Sequence, residues 1–275
     1  MSSHQAGVAA GVPPAEDTAA AGRVLRSLRA ARVLLHIGTG FALALAVGAF
    51  LPQRLVPRHR PLVRRAARWW LARLTRVLRV EASVVGTPVR QPALYVSNHV
   101  SWLDIPVLGG LTGVHFLSKA EVGEWPLIGP LATAAGTLYI RRGHGQVRER
   151  ARQIGEHIAC GRPVLVFPEG TTTDGRDVRG FHAPLFSAAC DGGHPVQPVA
   201  IRYLDERGGL HPWVPFIGED EFTGHLWRLL GAGPIRVEVH FLPAIGLPVH
   251  GAGSADHREL AARAHAAVRQ VIAPA

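Results

Sequence analysis

The chain predicts an α/β fold: a central mixed sheet flanked by helices, preceded by N-terminal membrane-associated helices. Three observations predict it. Short apolar, β-branched runs alternate with helix-length segments from residue 80 to the C-terminus. Gly and Pro punctuate those segments, as in Gly161 after Cys160 and Pro163 before the run Val164-Leu-Val-Phe167. Ahead of them stands a separate stretch whose composition is unlike the rest, arginine-rich and nearly free of acids.

Taken in order, residues 1–22 are rich in Ala, Gly, Ser and Pro and read as a disordered tail. Residues 23–79 read as a membrane-associated helical segment. From Arg23 to Arg90 there are 14 arginines and one acid, Glu81, so of the net charge of +10 this quarter carries +13 and the remainder −3. Within it, residues 33–51 run for 19 positions without a formal charge, about 28 Å as a helix against a hydrocarbon thickness of roughly 30 Å. Such a helix spans the bilayer or, because His36, Thr39 and three glycines lower its hydropathy, lies in one leaflet. The apolar run starts too deep for a signal peptide.

Residues 61–79 form an amphipathic pattern. Val63, Ala67, Trp70, Leu74 and Val77 make one stripe, and Arg65, Arg68, Arg76 and Arg79 another. The pattern suits anionic head groups, with Trp69 and Trp70 at the interface; the alternative is a helix packed on its own domain. Nucleic-acid binding is the other use of such basicity, but no zinc-finger, RNA-recognition or helix-turn-helix pattern accompanies it.

Residues 80–275 then read as one domain, with strands near 80–85, 93–97, 114–118, 137–141, 163–167, 196–203 and 235–242. Helices fall near 102–110, 126–135, 146–160, 183–190, 219–230 and 255–272. The strand at Pro195-Val-Gln-Pro-Val-Ala-Ile201 carries two prolines and reads as an edge or bulged strand. Cys160 and Cys190 read as buried small hydrophobes.

The chemistry concentrates at strand ends. In Asn98-His-Val-Ser-Trp-Leu-Asp104, His99 lies between a strand and a helix that Ser101 and Asp104 open as a capping box. That junction is where α/β proteins place ligands. His99 supplies a general base and Asp104 a carboxylate that fixes its tautomer, a pair suited to removing a proton from a hydroxyl during acyl transfer. The competing reading makes Asp104 a capping carboxylate and His99 a loop residue. His144 and Glu149 repeat the spacing in a polar stretch with no strand before it.

Phe167-Pro-Glu-Gly-Thr171 ends the next buried strand and aims Glu169, Gly170 and Thr171 at the sheet edge. Gly136-Thr-Leu-Tyr-Ile-Arg-Arg142 ends in two guanidinium groups suited to a phosphate or carboxylate. There is no Gly-x-Ser-x-Gly elbow, no Cys-x-x-Cys and no His-Glu-x-x-His, and Gly143-His-Gly145 is a weak phosphate-loop pattern. Neither a covalent acyl-enzyme nor a metal is therefore expected.

These blocks, in this order and over roughly residues 80–203, resemble the glycerolipid acyltransferase family, which includes 1-acylglycerol-3-phosphate O-acyltransferases. The stretch Lys119-Ala-Glu-Val-Gly-Glu-Trp-Pro-Leu-Ile-Gly129 looks like the family's link between the first two blocks. The resemblance implies an O-acyltransferase on the cytoplasmic face of the cell membrane, among membrane lipids and with no nucleic-acid partner. Its donor would be acyl-CoA or acyl carrier protein, its acceptor a lysophospholipid hydroxyl, first of all that of 1-acylglycerol-3-phosphate, and no cofactor would be bound. His99 would be the base, Asp104 its orienter, Arg142 the contact to the acceptor's phosphate and Glu169 the contact to its glycerol hydroxyl. Where many members carry an acidic residue before the arginine of the second block, this chain has Arg141. That departure keeps open a lyso-aminolipid such as lyso-ornithine lipid as acceptor, beside the alternative of a catalytically idle membrane-binding protein.

Overall fold

The computed structural model describes residues 15–50, 56–125, 128–134, 136–140, 147–246 and 256–273. Two long helices come first, α1 (Ala15–Phe50) and α2 (Val56–Val77). Next come β1 (Val80–Val85), β2 (Leu94–Ser97), α3 (Asp104–Thr112), β3 (His115–Lys119), α4 (Ala120–Gly123), α5 (Ile128–Ala134) and β4 (Leu138–Ile140). The second half holds α6 (Val147–Ala159), β5 (Val164–Val166), a 3-10 turn (Ala183–Phe186), α7 (Ser187–Gly192), β6 (Val196–Leu204), α8 (Phe222–Gly231), β7 (Ile235–Phe241) and α9 (His257–Ile272).

The seven strands form a mixed sheet in the order β1-β7-β6-β2-β5-β3-β4. Every neighbouring pair is parallel except β6 and β7. The central strands are apolar on both faces because helices cover both, as parallel strands require. Alternation divides them. Leu94, Val96, Val164 and Val166 face a cluster with Ile154, Ile158, Phe186, Leu260 and Ala264, while Tyr95 and Leu165 face a second cluster with Leu103 and with Val107 and Leu108 of α3. Residues 97–104 and 167–175 thus leave the carboxyl ends of adjacent strands at one sheet edge.

The prolines of β6 did not make it an edge strand; β6 lies between β7 and β2. Pairing with β7 begins one residue beyond Pro198, at Val199 and Phe241, so the missing N–H falls in a gap in that ladder. Gln197 fills the gap. Its buried amide nitrogen donates to Leu242 O and, at 3.0 Å, to Pro198 O, and its Oε1 accepts Val89 N at 3.0 Å.

The N-terminal helices pack on this unit. α1 starts at Ala15, inside the stretch expected to be tail, and the first 14 residues lie outside the described ones. The apolar stripe of α2 is half-buried toward α1, α3 and the start of β1, so α2 packs on its own protein as well as carrying an exposed arginine face. Its tryptophans part company: Trp69 is exposed under the Arg73 guanidinium, whereas Trp70 stacks on His36 at 4.9 Å between centroids. His36 and Trp70 also bond reciprocally through ring nitrogens and main-chain carbonyls, at 3.0 and 3.1 Å. Close approach of α2 to α3 depends on Gly110, where a Cβ would lie 2.8 Å from the Ala72 backbone. The cysteines are not core residues: Cys160 is exposed beyond the end of α6 and Cys190 half-buried.

Replacing Gln197 by Leu leaves Val89 N and Leu242 O without its amide. The variant is expected to lose about 1–3 kcal/mol in urea unfolding while remaining folded at room temperature; an unchanged midpoint contradicts this account of β6.

Candidate active site

His99 and Asp104 meet. The loop that carries His99 leaves β2, turns at residues 102–103 and enters α3, which starts at Asp104. Asp104 lies in the first helical turn, so its side chain leans back over the loop. Its Oδ2 takes His99 Nδ1 at 2.7 Å, Val100 N at 2.8 Å and Ser101 N at 3.1 Å. Its Oδ1 takes the Tyr203 hydroxyl at 2.8 Å. Asp104 is 0% exposed, and four donors compensate a charge that burial would otherwise expel.

The capping box forms in one direction only. Asp104 accepts from Ser101 N, but the Ser101 hydroxyl finds no partner among the described residues, because Asp104 N already bonds Ser101 O at 3.0 Å. Asp104 therefore closes the loop ahead of α3 and bonds the imidazole with the same oxygen.

The imidazole of His99 is 19% exposed. With Nδ1 donating to Asp104, the neutral ring carries its lone pair on Nε2, which makes no hydrogen bond among the described residues. One face of the ring stacks on Phe167, with centroids 3.9 Å apart and planes 12° from parallel. The ring plane is thus fixed by an aromatic wall and its rotation by a carboxylate.

Glu169 sits behind the loop, 5% exposed. Oε1 accepts His99 N at 2.7 Å and Oε2 accepts Arg179 N at 2.8 Å, so one carboxylate joins the loop after β2 to the loop after β5. Burial pushes its carboxyl above the usual range, against the pull of those two N–H groups. Thr173 N adds a bond to His99 O at 2.8 Å. Gly170 turns at φ +73° and Thr171 is exposed beside it, both at the sheet edge. Arg142, like Arg141, His144 and the Gly143-His-Gly145 pattern, lies outside the described residues. Glu149 of the His144 pair bonds Arg152 within α6. Among the described residues no cluster of three or more His, Cys, Asp or Glu could hold a metal ion.

Tyr203 was read only as the end of a strand, and Asn98 only as the start of a motif. Asn98 is buried and spans to β6, donating to Ile201 O at 3.0 Å and accepting Ile201 N at 2.9 Å. No motif marked Tyr203; its place near the end of β6 was the one signal.

Residues 79–202 match the family model described as Acyltransferase. The chain is 47% identical over 88% of its length, and 91% of the relative's, to a lyso-ornithine lipid O-acyltransferase of Pseudomonas aeruginosa. This chain belongs to the acyltransferase family. It is also similar to a 1-acyl-sn-glycerol-3-phosphate acyltransferase of Neisseria gonorrhoeae, 31% identical over 69% of this chain and 75% of that one. The fold is that of the crystal structure of the 1-acyl-sn-glycerophosphate acyltransferase of Thermotoga maritima, with a TM-score of 0.58, 20% identity and coverage of 89% of this chain and 96% of that one.

Glu169→Gln places an amide N–H₂ against one of two backbone N–H donors. The variant is expected to lose about 1–3 kcal/mol of stability and to turn over more slowly, because one loop loses its acceptor and the bridge between the two is broken. Urea unfolding and steady-state assay check this; wild-type values for both contradict it.

Proposed function

We propose that this acyltransferase moves a fatty acyl group from acyl-CoA or acyl carrier protein to the hydroxyl of a lyso-ornithine lipid, with His99 as general base. The observation that carries the reaction is the His99–Asp104 pair with a free Nε2. Nε2 takes the hydroxyl proton as the oxygen bonds to the thioester carbonyl carbon; the C–S bond breaks, and the proton passes from the imidazolium to the departing sulfur. Asp104 holds the tautomer and faces the imidazolium charge.

Lyso-ornithine lipid stands first as acceptor because the relative with 47% identity bears that name. Its head group offers a carboxylate, which the paired guanidinium groups of Arg141 and Arg142 suit as well as a phosphate. The second reading, 1-acylglycerol-3-phosphate giving phosphatidic acid, is favoured by the Neisseria gonorrhoeae relative. On either reading we assign Arg142 to the acceptor's anionic group, and Glu169, Gly170 and Thr171 to shaping the turn that receives it.

The acceptor is a lipid, and the N-terminal helices fit a membrane surface. Residues 22–46 of α1 are long and apolar enough to cross a bilayer, and only 17% of the most apolar window is buried. Val33, His36 and Gly40 face the protein, while Val24, Leu25, Leu28, Leu34, Leu35 and Leu45 are exposed. A helix held along one side by its own protein suits immersion in one leaflet, with the catalytic unit on the cytoplasmic face where the thioester donors are. The exposed Arg64, Arg65, Arg73 and Arg76 of α2 then meet anionic head groups, at about 1 kcal/mol each.

The test is a panel of lysolipids with labelled acyl-CoA, read by mass spectrometry. His99→Ala is expected to lose about 10²-fold or more of the activity while still sedimenting with anionic liposomes; near wild-type transfer contradicts the base assignment. Arg142→Ala is expected to raise the Michaelis constant for the preferred anionic acceptor by about 10- to 100-fold and to leave a neutral lysolipid unaffected. Equal constants for all acceptors contradict that contact, and phosphatidic acid as the sole product favours the second reading.

A further inference from the structure

We propose that Tyr203 is a positioning residue of the reaction, whose hydroxyl holds the second oxygen of Asp104 so that the first stays on His99 Nδ1. The inference rests on the reading of His99 as the base.

The carboxylate is unevenly supplied. Three donors converge on Oδ2, and Oδ1 has one, the Tyr203 hydroxyl at 2.8 Å. Asp104 is wholly buried, so without that hydroxyl Oδ1 keeps its charge in an apolar surrounding with no other donor among the described residues. A carboxylate in that condition rotates to share its donors, and rotation takes Oδ2 off the imidazole. Among the described residues the hydroxyl has no second partner. The Tyr203 ring packs in the apolar cluster with Ile201, Val214, Val237 and Val239, where a phenyl ring would fill the same space.

The strand that delivers Tyr203 is itself tied to the loop it serves. Two residues earlier on β6, the Ile201 backbone is bonded in both directions by the Asn98 amide, next to His99. The height of the phenol relative to the imidazole is therefore set by a backbone clamp. Burial and the Asp104 charge both raise the phenol's pKa well above its ordinary value, so it remains a donor throughout the working range. A donor on Oδ1 draws charge from the carboxylate and tempers its hold on the imidazolium. Among the described residues, Asp104, from α3, and Glu169, from the turn after β5, are the ionisable groups bonded to His99, and Tyr203 reaches it through Asp104. The remaining wall is Phe167.

Tyr203→Phe keeps the ring and removes the donor. Its kcat is expected to fall about 10-fold with Michaelis constants for both substrates unchanged, since the contact acts on the base and not on a substrate. The acid limb of the rate profile is expected to move to lower pH, because a carboxylate that has rotated off the ring no longer stabilises the imidazolium. A second probe does not depend on that variant folding. The chain has three tyrosines, and Tyr95 and Tyr139 donate to the carbonyls of Val89 and Gly129. Replacing all three by 3,5-difluorotyrosine makes the phenol a stronger donor to Asp104, and the acid limb is expected to move to lower pH. His99→Ala is assayed alongside. If His99→Ala is active, the base assignment fails. If it is inactive while Tyr203→Phe keeps wild-type kcat, or neither tyrosine change moves the acid limb, the Tyr203 inference alone is overturned.

Discussion

The buried carboxylate of Asp104 is the constraint around which the site is organised. An anion 0% exposed persists only where donors surround it, and here the donors come from the imidazole, two consecutive backbone N–H groups and a phenol on β6. Each donor is also a coordinate. The two N–H groups fix the loop's curvature, the imidazole fixes the ring's rotation, and the phenol ties all of it to the sheet. Asp104 also occupies the first turn of α3, whose dipole favours a negative charge there. The same carboxylate that starts a helix holds an imidazole.

The sheet supplies the rest of the rigidity. β2 lies between β6 and β5, and buried polar side chains tie the loop after it to both sides: Asn98 of the loop reaches β6, and Glu169, beyond β5, reaches the His99 backbone. The mixed topology is what allows this. β6 continues beyond the end of β2 because β7 pairs with it in the antiparallel sense from Val199 to Leu204, and that extension carries Tyr203 over the loop. Further out, Arg29 of α1 donates to Leu230 O and Ala232 O at the end of α8, at 2.7 and 3.1 Å, and Trp102 of the loop that carries His99 donates to His225 of the same helix at 3.0 Å. The apolar N-terminal helix and that loop are thus joined through one short helix.

Much of this was legible in the sequence, for identifiable reasons. The strands were marked by apolar runs between Gly and Pro, so β1 was placed at Val80 to Val85 and β5, which spans Val164–Val166, within residues 163–167. His99 and Asp104 were visible because the strand-to-helix junction is local. What the sequence hid was long-range. A proline in β6 argued for an edge until Gln197, adjacent to it, proved to supply the missing donor. Cys160 looked like core because the hydropathy of a helix end does not reveal which side faces water. His36 counted as a polar blemish in an apolar run, whereas Trp70, 34 residues on, gives it both a ring to stack on and a carbonyl to bond. Tyr203 carried no motif at all, since its partner lies 99 residues away on another element.

The central claim is that Asp104 holds neutral His99 with the proton on Nδ1 and the lone pair on Nε2, facing the acceptor hydroxyl. Nitrogen-15 NMR of the histidine-labelled protein, with His99 assigned by its loss in His99→Gln and recorded where the ring is neutral, reads this directly. The account predicts a protonated, pyrrole-type signal for Nδ1 and an unprotonated, pyridine-type signal for Nε2. The reverse assignment, with the proton on Nε2, contradicts it.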